Sequence, residues 1–380
     1  MSDKNKIRSI AIYLPQYHPI PENDEWWGKG FTEWTNVTKG EPRFEGHYQP
    51  HLPSDLGFYD LRLEESRMAQ EALAKQNNIH GFCYYHYWFN GKRMLYEPLE
   101  RKLKNPKEDL PFMLCWANEN WTRAWDGTEN QVLLQQNYSE EDDRNHIRYL
   151  ISYFKDDRYI KVNGKPIFAF YKADVFPDMN KTVQIFREEA RKEGIELYLC
   201  WVERWGGNYE HPYFDAAIEF QPLSKPFTAF LDHQKEEAKK NQAKSNQLSI
   251  PERVKNKIIR KLNSYRNTKP QTIKRSSDII VEYGDFTKFD VSYPKRTYKY
   301  FPGVCPMWDN SSRRRNQVAI IFKNSTPELF GNWYKKKVEN FTPYSEQENF
   351  IFINAWNEWA EGNHLEPDQK WGKQYLEALR

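Results

Sequence analysis

The sequence predicts a single (β/α)8 barrel of the TIM type, and three observations lead there. Short runs that are apolar throughout alternate with amphipathic stretches along the chain, as strands buried on both faces alternate with helices in parallel α/β folds. Every run ends in polar or aromatic residues, which places a site at the C-terminal face of a barrel. No glycine-rich phosphate loop follows the first run; Pro15-Gln-Tyr-His-Pro19 stands there instead, which counts against a doubly wound open sheet.

Ile10-Ala-Ile-Tyr-Leu14 is the first strand. A loop over residues 15–60, rich in Trp, Tyr, His, Pro and Gly, follows it. Leu61 to Gln76 has helical periodicity, Gly81 to His86 is the second strand, and Leu95 to Leu103 is a short helix. Pro111 to Trp116 is the third strand, and Glu140 to Phe154 is helical after another aromatic loop. Pro166 to Tyr171 is the fourth strand; Thr182 to Lys192 is a helix that Gly194 stops. Leu197 to Val202 and Ala216 to Phe220 are the fifth and sixth strands. Gly303 to Trp308 is the seventh, followed by a helix from Pro327 to Val338. Phe350 to Ile353 is the eighth, and Gln374 to Leu379 is a closing helix. One barrel therefore spans residues 1–380, with a basic helical insertion over residues 232–290.

Aromatic residues make up 16% of the 380 positions, more rings than a core of this size needs, so some are expected to line a cleft. The net charge of +3 implies no global polyanion field and no nucleic-acid partner. No apolar run is long enough to cross a membrane, and the polar start, Met1 to Lys6, carries no apolar signal region. Cys83, Cys115, Cys200 and Cys305 lie singly inside apolar runs, without zinc spacing. They are expected to be buried and reduced, which fits the cytoplasm.

The chemistry is expected at Asn354-Ala-Trp-Asn-Glu-Trp-Ala-Glu-Gly362. Glu358 and Glu361 stand three apart among Trp356, Trp359, Asn354 and Asn357. Glycoside chemistry needs two carboxyl groups, one exchanging protons with the glycosidic oxygen and one activating the attack. Indole faces suit sugar C–H faces. The other strand ends supply further candidates for sugar binding: Tyr17 and His18; His86 and Trp88; Trp116, Asn118, Glu119, Trp121 and Arg123; Tyr171; Glu203 and Trp205; and Trp308, Asp309, Asn310 and Arg313. Glu119 with Arg123 reads equally as a grip on a charged sugar or as an internal ion pair. Asp309 and Asn310 read as hydroxyl ligands or as a loop cap. His18, His47, His51 and His86 lack metal-ligand spacing, so neither a metal nor another cofactor is expected.

The chain resembles the WbsX-type proteins, a group related to glycoside hydrolase family 99. The resemblance covers nearly the whole chain. It is carried by Tyr13-Leu-Pro-Gln-Tyr-His18, Trp27-Gly-Lys-Gly-Phe-Thr-Glu-Trp34, Tyr84-Tyr-His-Tyr-Trp88, Cys115-Trp-Ala-Asn-Glu-Asn-Trp121, Met307-Trp-Asp-Asn310 and Asn357-Glu-Trp-Ala-Glu-Gly362. It adds Tyr13 and Trp34 to the candidates, and implies O-antigen or other surface-polysaccharide synthesis under a glycosyltransferase label. The family 99 relationship implies a retaining, metal-free enzyme on a (β/α)8 barrel. Glu358 then acts as base on the sugar 2-hydroxyl and Glu361 as acid/base, and Glu366 falls in line with a further family acid. The loops after strands one to three match the WbsX-type proteins and not the mannosidases.

Two rival functions keep the same fold. A nucleotide-sugar transferase needs a diphosphate site, yet the sequence shows neither a glycine-rich phosphate loop nor a D-x-D motif. A non-catalytic glycan-binding barrel does not need the acid pair. Residues 234–275 hold thirteen Lys/Arg and three Glu. A capping box, Ser249-Ile-Pro-Glu252, precedes Val254, Ile258 and Leu262 at helical spacing. This basic helix reads as a solvated face or as a contact with an anionic membrane surface or lipid-linked glycan, peripheral to the inner membrane face.

Overall fold

In the computed structural model the described residues are 7–123, 128–207, 211–247 and 278–380, with no side-chain description for residues 128–130 and 242–247. The barrel strands are β1 (Arg8–Tyr13), β2 (Ile79–Phe89), β3 (Phe112–Trp116), β4 (Lys165–Phe170), β5 (Tyr198–Glu203), β6 (Ala216–Glu219), β7 (Tyr300–Phe301 and Gly303–Val304) and β8 (Phe350–Ile353). Each pairs in parallel with the next, from β1 to β8. β8 returns to β1, with Ile10 opposite Phe352, and closes the ring.

The ring closes through a strand in two pieces. Tyr300–Phe301 pairs with β6 and Gly303–Val304 with β8. Pro302, which has no N–H to give, divides the pieces, and its carbonyl accepts from the Phe352 amide at 2.9 Å. The Gly303 amide donates to the Glu219 carboxylate at 2.8 Å. A Cβ at position 303 would stand 2.2 Å from the Glu219 carbonyl oxygen, so the seam admits only glycine.

The helices outside the ring are α1 (Glu64–Gln76), α2 (Glu97–Lys104), α3 (Glu140–Phe154), α4 (Met179–Lys192), α5 (Lys225–Gln247), α6 (Tyr283–Ser292), α7 (Pro327–Asn340) and α8 (Gln374–Glu377). Side-chain caps start three of them: Ser139 on α3, Asp178 on α4 and Thr326 on α7. One expected unit is missing a helix. Among the described residues between β5 and β6, which are 204–207 and 211–215, there is no helix, and Gly206, Gly207 and Pro212 disfavour one. The seventh strand also differs from expectation. Trp308–Asp309 leaves the ring and pairs antiparallel with Ile320–Lys323, which pairs in turn with Ile279–Glu282. Most of the basic segment, residues 248–277, including the capping box at Ser249, lies outside the described residues. Among the described residues no helix is long and apolar enough to cross a membrane.

Between the ring and its helices the packing is apolar: Phe112, Leu114, Phe168 and Phe170 are fully buried, and Phe168 meets His146 and Phe154 of α3 and Phe186 of α4. At the seam, Glu219 pairs with Arg296 at 2.5 Å and Lys337 at 2.9 Å, and Lys337 reaches Asp290 at 2.7 Å. Removing one member of such a buried network typically costs about 3–5 kcal/mol. The four cysteines are free and buried, as the sequence predicts. Burial, helped by the neighbouring Cys83, drives the Cys115 thiol well above its ordinary range. A disulfide-exchange reagent should therefore label none of the four quickly in native protein, and all four once it is unfolded. Rapid labelling of the native chain would contradict this packing.

Candidate active site

The loop after β8 carries both glutamates. Asn357 fixes where it starts. Its side-chain amide takes the Leu14 amide at 2.7 Å and gives to the Leu14 carbonyl at 3.0 Å, acting as one more rung beyond the end of β1. Asn357–Glu358 then forms a short ladder with Asn363–His364. Gly362 turns the chain between them at φ +53°, and a Cβ there would stand 3.0 Å from Asp309.

One guanidinium gathers the acids. Arg313, from the loop after β7, donates to Glu361 at 2.8 Å and to Glu358 at 3.1 Å. It also donates twice to Glu33, at 2.5 and 3.2 Å. Glu33 opens a short helix, Glu33–Val37, in the loop after β1, and is fully buried. Three carboxylates thus share one guanidinium. Burial is the largest influence on both Glu358 and Glu361 and raises their pKa values; Arg313 pulls the other way, and Glu33 adds to the rise. Arg313 is itself held well above its ordinary range: burial would lower it, and the three carboxylates overcome that. The two carboxyls therefore give up their protons less readily than free glutamates do, and they titrate together rather than singly.

The acids open into a cleft of about 920 Å³ at the C-terminal face of the barrel. Of the expected residues, Asn118, Glu119, Trp121, Tyr171, Trp308, Asn310 and Arg313 line it together with Glu358 and Glu361. A second chamber of about 440 Å³ continues past Asn310 and Arg314 to Trp205. Glu119 pairs with Lys172 rather than Arg123, and the Arg123 guanidinium sits over Trp27 at 5.5 Å.

Other expected residues stand away from the cleft wall. Glu203 is buried against Arg296 at 2.7 Å and Tyr298, as part of the seam network. His86 and Trp88 face α3, where His86 meets His146 at 2.8 Å and Trp88 donates to Asp142 at 3.0 Å. Trp116 packs beside them against His146. The wall residues of β2 are Tyr85 and Tyr87, because side chains alternate along a strand. Asp309 is buried and accepts from His47 and Gln49, both at 2.6 Å. Asn354 is buried and donates to the Gln221 carbonyl at 2.8 Å, and Trp356 is buried against Phe82. His18 is buried in the first loop.

Tyr13, Tyr17, Trp34, Asn357, Trp359 and Glu366 form a scaffold behind the acids. Tyr17 donates to the Asn357 carbonyl and accepts from the Trp359 amide at 3.3 Å. Trp34 packs between Tyr17 and Trp359, its ring tilted to both. Glu366 accepts from Trp359 at 2.7 Å, Tyr59 at 2.7 Å and Gln70 at 2.6 Å; Gln70 in turn accepts from Tyr13. Burial pushes the Glu366 carboxyl up to about 7 against those three donors.

Glu33, Gln16, Trp27, Asn120, Tyr138 and Lys172 were not among the expected site residues. Glu33 and Trp27 lie inside the block Trp27 to Trp34, so the pattern flags their region; nothing in it says that Glu33 meets an arginine 280 residues away.

A family profile described as Glycosyltransferase WbsX matches residues 9–379. A curated relative, the uncharacterized protein WxcX of Xanthomonas campestris pv. campestris, is 36% identical over 378 residues, which is 98% of this chain and 49% of the relative. The chain thus spans about half the length of the curated relatives it matches. A solved glycoside hydrolase-like protein superposes with a TM-score of 0.56 at 12% identity, covering 99% of this chain and 93% of that one. The GH99 endo-alpha-mannosidase from Bacteroides thetaiotaomicron gives 0.52 at 12% identity, covering 100% and 96%. These two likenesses establish the barrel fold. With its profile matched from end to end and a relative of 36% identity along its length, the chain belongs to the WbsX glycosyltransferase family.

Proposed function

We propose that the protein breaks or transfers a glycosidic bond of a bacterial surface polysaccharide, or of its precursor, with Glu358 and Glu361 as the reacting pair. The observation that carries this reading is two carboxyl groups, raised in pKa by burial, side by side on Arg313 in an aromatic cleft. In the first half-reaction Glu358 takes the proton of the sugar 2-hydroxyl. That oxygen attacks its own anomeric carbon as the bond to the leaving oxygen breaks. Glu361 gives its proton to the leaving oxygen. In the second half, water or an acceptor sugar loses a proton to Glu361 and attacks the anomeric carbon. The 2-oxygen leaves it and recovers its proton from Glu358. Two inversions give retention.

The test is incubation with fragments of the host polysaccharide, followed by mass spectrometry of the products. New reducing ends support hydrolysis, and longer fragments support transfer. No change across a panel of surface glycans would remove the proposal. A transferase using nucleotide sugars is the second reading, favoured by the family's description and by Lys172, Arg204 and Arg314 around the second chamber. Release of free nucleotide diphosphate on adding acceptor glycan would select it.

A further inference from the structure

On the other side of Trp359 from the cleft scaffold lies a cluster that the proposed reaction does not use. His51 comes from the loop after β1, and His364 and Asp368 from the loop after β8. All three are buried. His51 Nδ1 stands 3.0 Å from His364 Nε2, and His364 Nε2 stands 3.8 Å from Asp368 Oδ2. One ligand atom from each lies within 4.8 Å of the others. Ligand atoms around a tetrahedral zinc ion, with bonds of about 2.0–2.1 Å, are roughly 3.3 Å apart. The two short separations bracket that spacing.

We propose that His51, His364 and Asp368 bind one divalent transition-metal ion of the zinc class. Three further observations support it. Asp368 Oδ2 is buried without a hydrogen-bond partner, while its other oxygen accepts from the Lys370 and Trp371 amides. No lysine or arginine pairs with this carboxylate among the described residues; the group it meets is His364. A buried carboxylate without a cation is costly, and a metal ion supplies the missing charge. Second, His364 Nδ1 donates to the Glu366 carbonyl at 2.9 Å. That bond keeps the His364 proton on Nδ1, the usual outer-shell arrangement of a metal histidine, so an ion would take the Nε2 lone pair in place of its 3.0 Å contact with His51 Nδ1. Third, the Tyr48 ring stacks on His51 at 4.2 Å, and its buried hydroxyl stands beside the Asp368 carboxylate. That hydroxyl, or a water, fills the fourth position.

Such an ion fastens the first loop to the last. His364 also stacks on Trp359 at 3.7 Å, so the clasp bears on the chain between the two acids. It holds whether or not Glu358 and Glu361 carry glycoside chemistry, because its ligands are not reacting groups.

The test is metal binding by the wild-type chain. Protein stripped with a chelator is titrated with Zn²⁺ and separately with Co²⁺, followed by calorimetry and by the visible absorption of bound cobalt. We expect one site, a thermal midpoint that rises on adding zinc and not magnesium, and cobalt bands of a nitrogen–oxygen ligand set. Asp368→Asn and His51→Ala should each weaken binding by at least about tenfold, as losing a ligand does more than losing its outer-shell partner. If stripped wild-type protein binds neither ion, or if Asp368→Asn binds zinc as tightly as wild type, the site does not exist. The wild-type titration decides even if a variant fails to fold.

Discussion

Glu361→Gln should cut turnover by about 10² to 10⁴ while glycan still binds. Glutamine keeps the oxygen that accepts from Arg313 at 2.8 Å, so the guanidinium and its other two partners stay in place. What is lost is the proton for the departing oxygen. Glu358→Gln should be comparably damaging, since it removes the proposed base for the 2-hydroxyl. The double variant should be little worse than either, because groups that act as a unit are not additive. An activated glycoside separates the roles. Its leaving group needs little protonation, so it rescues Glu361→Gln and leaves Glu358→Gln inactive. A 2-deoxy substrate should be inert with every variant. Rescue of Glu358→Gln instead would exchange the two roles, and full activity in both would take the pair out of the mechanism.

Arg313→Met should produce the second-largest change, in stability and in pH dependence together. It strips the shared cation from Glu33, Glu358 and Glu361. Leaving buried charges unpaired in this way costs about 3–5 kcal/mol. Proton uptake relieves part of that cost, which fixes the sign with pH. The Glu358 and Glu361 carboxyls are raised in the folded state above their unfolded value of about 4.3. Stability from such groups is fully present below the unfolded pKa and disappears as pH climbs through the folded one. Losing Arg313 raises the folded values further. The thermal midpoint of the variant should therefore approach wild type near pH 4–5 and fall away towards neutrality, about where ordinary carboxyls have already ionised. Glu33→Gln should act in the opposite sense. It takes away one repulsive charge and leaves the guanidinium to two carboxylates, so the limb of the pH–rate profile that reports the acid moves to lower pH. A midpoint deficit for Arg313→Met that is constant across pH would show that the cluster is not coupled.

The strands and the acid pair were legible in the sequence for a simple reason. Phe350-Ile-Phe-Ile353 and the other runs are apolar on both faces, and that pattern has few other uses. The block around Glu358 is dense enough in acids and indoles to declare itself. What the sequence hid is parity and partnership. In Tyr84-Tyr-His-Tyr-Trp88 the eye takes the histidine and the tryptophan, whereas alternation turns Tyr85 and Tyr87 to the cleft and sends His86 and Trp88 to α3. Glu203 looks like a site acid at a strand end, but Arg296 consumes it. His51 and His364 lie 313 residues apart, so no spacing rule joins them; only the closed ring does. The split of β7 at Pro302 was likewise invisible, because the run Gly303 to Trp308 is apolar throughout, although the chain leaves the ring before it ends.

β1 and β8 are neighbours in the ring although every other strand of the ring lies between them in sequence. A growing chain holds Glu33 well before Arg313, and it has no acid pair until the residues beyond Ile353 are made. Until then β1 and the second piece of β7 have no strand between them, and the ring stays open. The step that seals the barrel and the step that delivers Glu358 and Glu361 are one docking event. If the proposed pair is the reacting one, onset of activity during refolding should coincide with protection of the β1 amides from hydrogen exchange.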